Sequence, residues 1–217
     1  TTNPAIQNYE LKKEPHWGGR TNFSYGLKNF AVNFGAELQS GDFSSKTFRN
    51  LQGNKGSQVT DDALDLVQWM AFAQVNWQVQ RWLFTAGASM NYFSLDFLRR
   101  SEMPPIQAAK SFKGQLQPRF AALYQAGDHI SAYVNVTKGF SPPASSEVFA
   151  DNNSYNLALQ AETGWLVEPG LRWELINQSL FLDASVFHTL LSNAIVTRRD
   201  AAGANYYINA GKTKQQG

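Results

Sequence analysis

A strict two-residue alternation of side-chain character, in runs joined by very short turns, restricts this chain to β-structure with two unlike faces. The clearest case spans Leu66 to Phe93. On its first arm Val67, Trp69, Ala71, Ala73, Val75 and Trp77 share one face, and Gln68, Met70, Phe72, Gln74, Asn76 and Gln78 share the other. A tight turn near Val79 to Arg81 reverses the chain, and Trp82, Phe84, Ala86, Ala88, Met90 and Tyr92 then oppose Thr85, Gly87, Ser89 and Asn91. One face is apolar enough for lipid, and the other suits a wet or plugged lumen.

The pattern repeats as four hairpins. An indistinct run over 18–26 turns at Leu27-Lys28-Asn29 into Phe30, Val32, Phe34, Ala36 and Leu38. A run over 112–125 turns through Ala126-Gly127-Asp128 into Ile130, Ala132, Val134 and Val136. The last places Trp165, Val167, Leu171 and Trp173 on one arm, turns at Ile176-Asn177-Gln178, and returns with Leu180, Leu182, Ala184 and Val186. Long polar connections are expected over 41–63, 94–111 and 141–162. Short turns at one end and long loops at the other are the asymmetry of an antiparallel up-and-down transmembrane β-barrel, not of a sandwich. A final ribbon, 194–199 with 206–210 around Ala202-Gly203, extends beyond the membrane, and a ninth strand is expected to begin as the sequence stops at Gly217. The fold class is therefore all-β, with about eight strands plus a terminal ribbon.

Aromatic spacing separates a membrane wall from a soluble core better than composition does. Trp69 and Trp77 lie eight positions apart on one face, as do Trp165 and Trp173. Eight residues cover about 26 Å, or roughly 20 Å of height after tilting, close to the ~25 Å apolar band of an outer-membrane barrel. A core would rarely keep tryptophans at both strand ends with alanines between them, whereas interfacial girdles require it. Mean hydropathy of −0.37 looks soluble only because every second side chain faces the lumen. No run approaches the roughly 18 apolar residues of a membrane helix. Net charge of +2 and the lack of a basic, aromatic-interleaved run argue against nucleic acid, and zero cysteines exclude a thiolate metal site.

The second half of the chain resembles the barrel of TonB-dependent outer-membrane receptors. Pro118-Arg119-Phe120-Ala121-Ala122-Leu123-Tyr124 is similar to that family's Pro-Arg strand. Tyr133 to Pro143, containing Lys138-Gly139-Phe140, is similar to its Tyr-x-x-x-x-Lys-Gly-Phe-x-x-Pro signature. Glu168-Pro169-Gly170-Leu171-Arg172, Ala184 to Thr189 and Asn209-Ala210-Gly211-Lys212-Thr213 continue it in order. Ser141 departs from the family's frequent Arg, and Pro169 should force a bulge because it removes a ladder donor. The resemblance implies that residues 1–217 are a partial barrel domain of about 22 strands in the whole receptor. The family's plug domain, TonB box and later strands have no counterpart here. It also implies Gram-negative outer-membrane location, TonB-coupled uptake of a scarce nutrient, foremost an iron chelate, and no enzymatic role or resident cofactor.

Candidate chemistry is sparse. Gly211-Lys212-Thr213 lacks the glycine cradle of a phosphate loop, since Tyr206 stands where the first Gly belongs. His129 with Ser131 has no partner acid at a suitable spacing, and His16 and His188 are isolated, so neither a nucleophile pair nor a His metal site is supported. Arg119, Glu168, Arg172, Glu174 and Asp183 fall on the lumen face and are candidates for plug contact or for mutual pairing. Arg99, Arg100 and Lys110 in the 94–111 connection, with Arg198 and Arg199 on the ribbon, could attract an anionic metal chelate; ordinary solvated loops explain them more simply. The competing function class is a soluble or surface β-domain that binds carbohydrate or protein through exposed Trp and Tyr.

Overall fold

The computed structural model describes residues 8–148, 155–176, 179–201 and 203–217. Its strands in chain order are β1 (Tyr9–Lys13), β2 (His16–Leu27), β3 (Phe30–Leu51), β4 (Asn54–Val79), β5 (Trp82–Arg99), β6 (Ile106–Gln125) and β7 (Ile130–Ser141). A single helical turn, α1 (Ser145–Val148), precedes β8 (Glu162–Ile176), β9 (Leu180–Ser185), β10 (His188–Ser192), β11 (Ile195–Arg199), β12 (Asn205–Asn209) and β13 (Lys212–Gln216). One antiparallel sheet runs β1-β3-β4-β5-β6-β7-β8-β10-β13, with β2 also on β3 and β9 also on β8. β11 and β12 form a separate ribbon. No helix among the described residues is long and apolar enough to cross a membrane, so any crossing is made by strands.

The tight turns hold where the sequence places them, at Lys28-Asn29, Gln80-Arg81 and 126–129. Residues 177–178 and Ala202, in two further expected turns, lie outside the described residues. Cross-strand pairing keeps the two faces distinct over the whole sheet: Val32, Val75, Ala86, Phe120, Val136, Val167 and His188 form one registered outward row. Along β4 the side chains of Val67, Trp69, Ala71, Ala73, Val75 and Trp77 are exposed, and the intervening ones are half-buried. Paired aromatic rings mark the two edges of that stripe. Trp69 lies 5.7 Å from Tyr92 at one edge, and Phe30–Trp77 and Trp82–Tyr124 lie 5.8 and 4.6 Å apart at the other.

The tryptophan positions also give the strand tilt. The row through Trp77 passes Phe84, Ala122 and Val134 and reaches Pro169, four residues from both Trp165 and Trp173. If each girdle is level in the membrane, rows climb four residues in four strand steps. At ~3.3 Å per residue and ~4.8 Å per strand this is a tilt of about 35°, inside the roughly 35–45° of outer-membrane barrels. The girdles on β4 are then about 22 Å apart in height.

Four expectations are corrected. The 41–63 connection is not a loop: β3 and β4 remain paired through Ser44↔Ala63 and Lys46↔Asp61 to a tip at Gln52-Gly53, both with positive φ. The 94–111 connection likewise shrinks to residues 100–105, because β5 and β6 pair as far as Arg99↔Ile106. Pro169 causes no register shift on β8; instead its partner strand is broken at Val186-Phe187, and Val186 donates to the Pro169 carbonyl at 3.1 Å. The ninth strand does not merely begin: β13 pairs with β10 over its full length. The irregularity on β8 lies further along, between Glu174 and Ile176, and a separate bulge lies in β6, where Gly114 at φ 65° lets two residues oppose Tyr92. The 194–199 and 206–210 ribbon stands as expected within a residue, and 141–162 is non-strand up to β8 apart from α1 where described.

Candidate functional site

Between the girdles the inner wall is polar because its side chains have no lipid to meet. Gln74 donates to Asn76 at 3.2 Å, and Thr85 donates to the same Asn76 oxygen at 2.9 Å. Asn91 reaches Ser89 at 3.1 Å, beside Gln117, whose Nε2 is buried without a hydrogen-bond partner among the described residues. Arg20 pairs with Glu37, which also accepts from Gln39 at 2.5 Å. These residues, with His16, Gln68 and Phe93, line a groove of about 580 Å³.

The lumen charges proposed from sequence separate into two groups. Arg172 binds Asp183 at 3.0 Å and lies 4.8 Å from the Tyr133 ring centroid, and the Tyr133 hydroxyl approaches Glu168 at 3.4 Å and Asp183 at 3.3 Å. Glu174 meets His129 at 3.0 Å. Arg119 has no ion-pair partner among the described residues and lines a smaller recess of about 190 Å³ with Gln74, Ser89, Gln117 and Thr137. Tyr133 lies across Gly170, where a Cβ would stand 2.2 Å from the ring, so only glycine admits that ring. Tyr133 and Gly170 are directly paired, and the aromatic covers the glycine backbone.

Above the upper girdle the polarity of the two faces inverts. In Ala63-Leu64-Asp65-Leu66 the leucines face inward and Asp65 outward, whereas lower down Gln74 faces inward and Ala73 outward. Beyond the bilayer the outward side meets water, and the inward side meets other protein. Phe43, Leu64, Phe93, Leu95, Phe97 and Phe112 form an apolar core there with Val148 and Ala161 from the 141–161 connection. Within it, residues 155–161 fold inward over the sheet. Tyr155 packs on Phe97 at 4.5 Å, and Asn156 and Gln160 tie it to Tyr207 and Asn209 of the ribbon at 3.0 and 2.8 Å.

Three loop bases read from sequence have different fates in this mouth. Arg99 is buried and makes a two-pronged pair with Asp62 at 2.7 and 2.9 Å, beneath Tyr155. The hydrogen bonding to Asp62 raises its pKa above the ordinary value, so it is a fixed cation. Lys110 points inward and donates to the carbonyls of Leu157 and Leu159 at 2.9 and 2.5 Å; desolvation lowers its pKa. Arg100 stays half-exposed, 3.5 Å from Asp61, which also binds Lys46 at 2.9 Å. Arg198 and Arg199 are exposed on the ribbon, with Arg199 3.3 Å from Asn205. Asp62, Tyr155 and Leu157 went unnoticed in the sequence reading because each meets its partner across tens of residues. The inverted Leu-Asp-Leu alternation was the available signal.

An all-β antiparallel wall with a lipid-compatible outer stripe, a polar inner face and a folded mouth is that of an outer-membrane transport barrel. The chain belongs to the family described as TonB dependent receptor-like, beta-barrel, which it matches over residues 2–217. The family is one of transport receptors, not enzymes. The metal-pseudopaline receptor CntO of Pseudomonas aeruginosa is 26% identical over 100 residues, 46% of this chain and 13% of that protein. Among solved structures, the copper transporter OprC superposes with a TM-score of 0.77 at 13% identity, covering 96% of this chain and 34% of that one. The ferric yersiniabactin uptake receptor FyuA from Yersinia pestis gives 0.69 at 16%, covering 96% and 32%. The pyoverdine receptor FpvA of Pseudomonas aeruginosa PAO1 gives 0.69 at 15%, covering 95% and 32%. The chain thus spans about a third of the solved receptors it resembles.

Proposed function

We propose that this chain is a section of barrel wall from an outer-membrane receptor that imports an iron chelate with TonB-derived energy. The observation that carries the reading is the change in the inner face along the strands. Below the upper girdle that face is polar and holds Arg119 and the Gln117 amide, both without a partner among the described residues, which suit acceptor groups of a plug. Above it, an inward-folded segment is welded to the wall by Lys110, Phe97 and Arg99, a rigid rim on which a ligand can be held before passage. Glu168, Arg172, Glu174 and Asp183 are already paired with wall residues, so Arg119 is the strongest candidate for plug contact. Arg100, Arg198 and Arg199 remain accessible for an anionic chelate, while Arg99 and Lys110 hold the mouth together. Similarity to receptors named for metal chelates supports the cargo class.

The test uses the full-length receptor in iron-starved cells. Uptake of an anionic ferric chelate should require TonB. Exchanging Arg100, Arg198 and Arg199 for Gln should slow association severalfold, most at low salt where steering charges are least screened. TonB-independent uptake would remove the energy coupling, and an association rate unchanged at every ionic strength would remove the anionic cargo.

A further inference from the structure

The boundary between β6 and β7 stops short of its neighbours. β5 and β6 pair up to Arg99↔Ile106, and β7 and β8 pair up to Ser141↔Glu162. β6 and β7 pair only from Gln125↔Ser131 to Arg119↔Thr137, and no ladder joins them above that among the described residues. Pro118 is the cause. Gln125 donates its N–H to Arg81 on the β5 side and Ala126 donates to Ile130 on the β7 side. Even-numbered residues of β6 therefore aim their N–H at β7, and at Pro118 that donor is missing. Higher up, the bulge at Gly114 turns β6 aside. A Cβ at Gly139 on β7 would meet nothing of β6 within 4 Å, whereas one at Gly87, behind an unbroken ladder, would lie 3.1 Å from the Gln74 Cβ.

The strand stagger gives the depth of this seam. Arg119 shares a row with Gln74, which is five residues below Trp69, and the row climbs about one residue per strand over two strands. Arg119 thus lies about 8 Å below the upper girdle, and Leu116 lies level with it. The open ladder groups between them fall in the outer leaflet, where backbone polar groups persist only if protein or interior water reaches them. An apolar track crosses the wall at the same place. Leu116 and Phe120 are exposed on the lipid side. Phe140 has the outward parity of Val136 on β7, yet its ring meets the inward Phe112 at 6.4 Å, and Phe112 meets Phe93 of the mouth core at 6.1 Å. From inside, the track is covered by residues 155–161, which lead into β8. Lys110 of β6 holds them through the Leu157 and Leu159 carbonyls, and Phe97 of β5 holds them through the Tyr155 ring. The two parts of the wall are joined by a ladder below Pro118 and by side chains above it.

We propose that the upper β6–β7 boundary is a lateral gate, latched from inside by residues 155–161, that admits the acyl chain of an outer-leaflet lipid to the apolar core of the mouth. Release of the Lys110 latch lets β7 and β8 swing away from β6 about the ladder that remains below Arg119. This rests on the outer-membrane reading above and is independent of the cargo.

The experiment places the full-length receptor in phosphatidylcholine nanodiscs doped with a phosphatidylcholine that carries a diazirine in its acyl chain, and maps the adducts formed on illumination by peptide mass spectrometry. The wild type should be labelled at Leu116 and Phe120, and to a small extent at Phe112. Phe72, an inward ring behind continuous ladders to β3 and β5, should stay unlabelled. Lys110→Met should raise the Phe112 adduct about tenfold, the order expected from losing one buried charged donor, and Lys110→Arg should return it towards the wild-type level. Labelling of Leu116 and Phe120 should be the same in all three proteins. A Phe112 adduct that is absent throughout, or that Lys110→Met leaves unchanged, overturns the latched gate while leaving the membrane reading intact. Equal labelling of Phe112 and Phe72 overturns it too, because the chain would then enter elsewhere. Absence of adducts at both Leu116 and Phe120 overturns the outward assignment, and the gate with it.

Discussion

A single arginine, moved by one residue, tests the two-faced wall. Ala73 lies four residues from both Trp69 and Trp77, about 11 Å of height from either girdle at a 35° tilt, and so at the bilayer midplane. Its side chain is exposed in a row with Phe34 and Ala88. An Arg there meets hydrocarbon and should cost about 2–4 kcal/mol, a thirtyfold to thousandfold loss in the folding equilibrium. Gln74, next in sequence, faces the recess that also holds Arg119. An Arg at 74 keeps its water and lies two strands from Arg119, across Gly87. At ~10 Å in a water-like medium that repulsion is about 0.4 kcal/mol. Urea titration of the full-length receptor folding into phosphatidylcholine bilayers, read by tryptophan fluorescence, should therefore separate Ala73→Arg from Gln74→Arg by at least about 1.5 kcal/mol. Equal costs, or a larger cost at Gln74, would refute the assignment of faces.

Lys110→Met removes the donor to the Leu157 and Leu159 carbonyls, costing about 1–3 kcal/mol locally, and limited proteolysis should cut within 155–161 faster while the sheet persists. Gly170→Ala drives a Cβ into the Tyr133 ring and should destabilise by about 1–3 kcal/mol; adding Tyr133→Ser should recover most of the loss in the same urea assay. Tags at Asn54, beside the β3–β4 tip, and at Asp128, in the β6–β7 turn, should label oppositely on intact cells, with Asn54 outside. Surface labelling of Asp128 alone would invert the orientation.

What the sequence determined by itself is the membrane-spanning wall. Alternation is a local property, since successive side chains point to opposite faces whatever the partner. Hence Val67 to Trp77, its turn at Gln80-Arg81 and the paired tryptophans were legible without coordinates. The bilayer supplies a uniform outside environment, so apolar-out and polar-in hold as a rule there. Above the girdle that rule ends. Ser44, Ser45, Lys46 and Thr47 are polar on both faces, and Leu64 and Asp65 invert the expected order, so a strand that continues looks like a loop. Only pairing with Ala63, Asp62, Asp61 and Thr60 makes it a strand. The charges follow the same division. That Arg119 faces inward was readable from its neighbours, but whether a cation is free depends on what the fold brings to it. Tertiary structure gave Arg99 to Asp62 and Lys110 to the carbonyls of a segment 47 and 49 residues away. A strand's register, unlike its periodicity, is set by its neighbours.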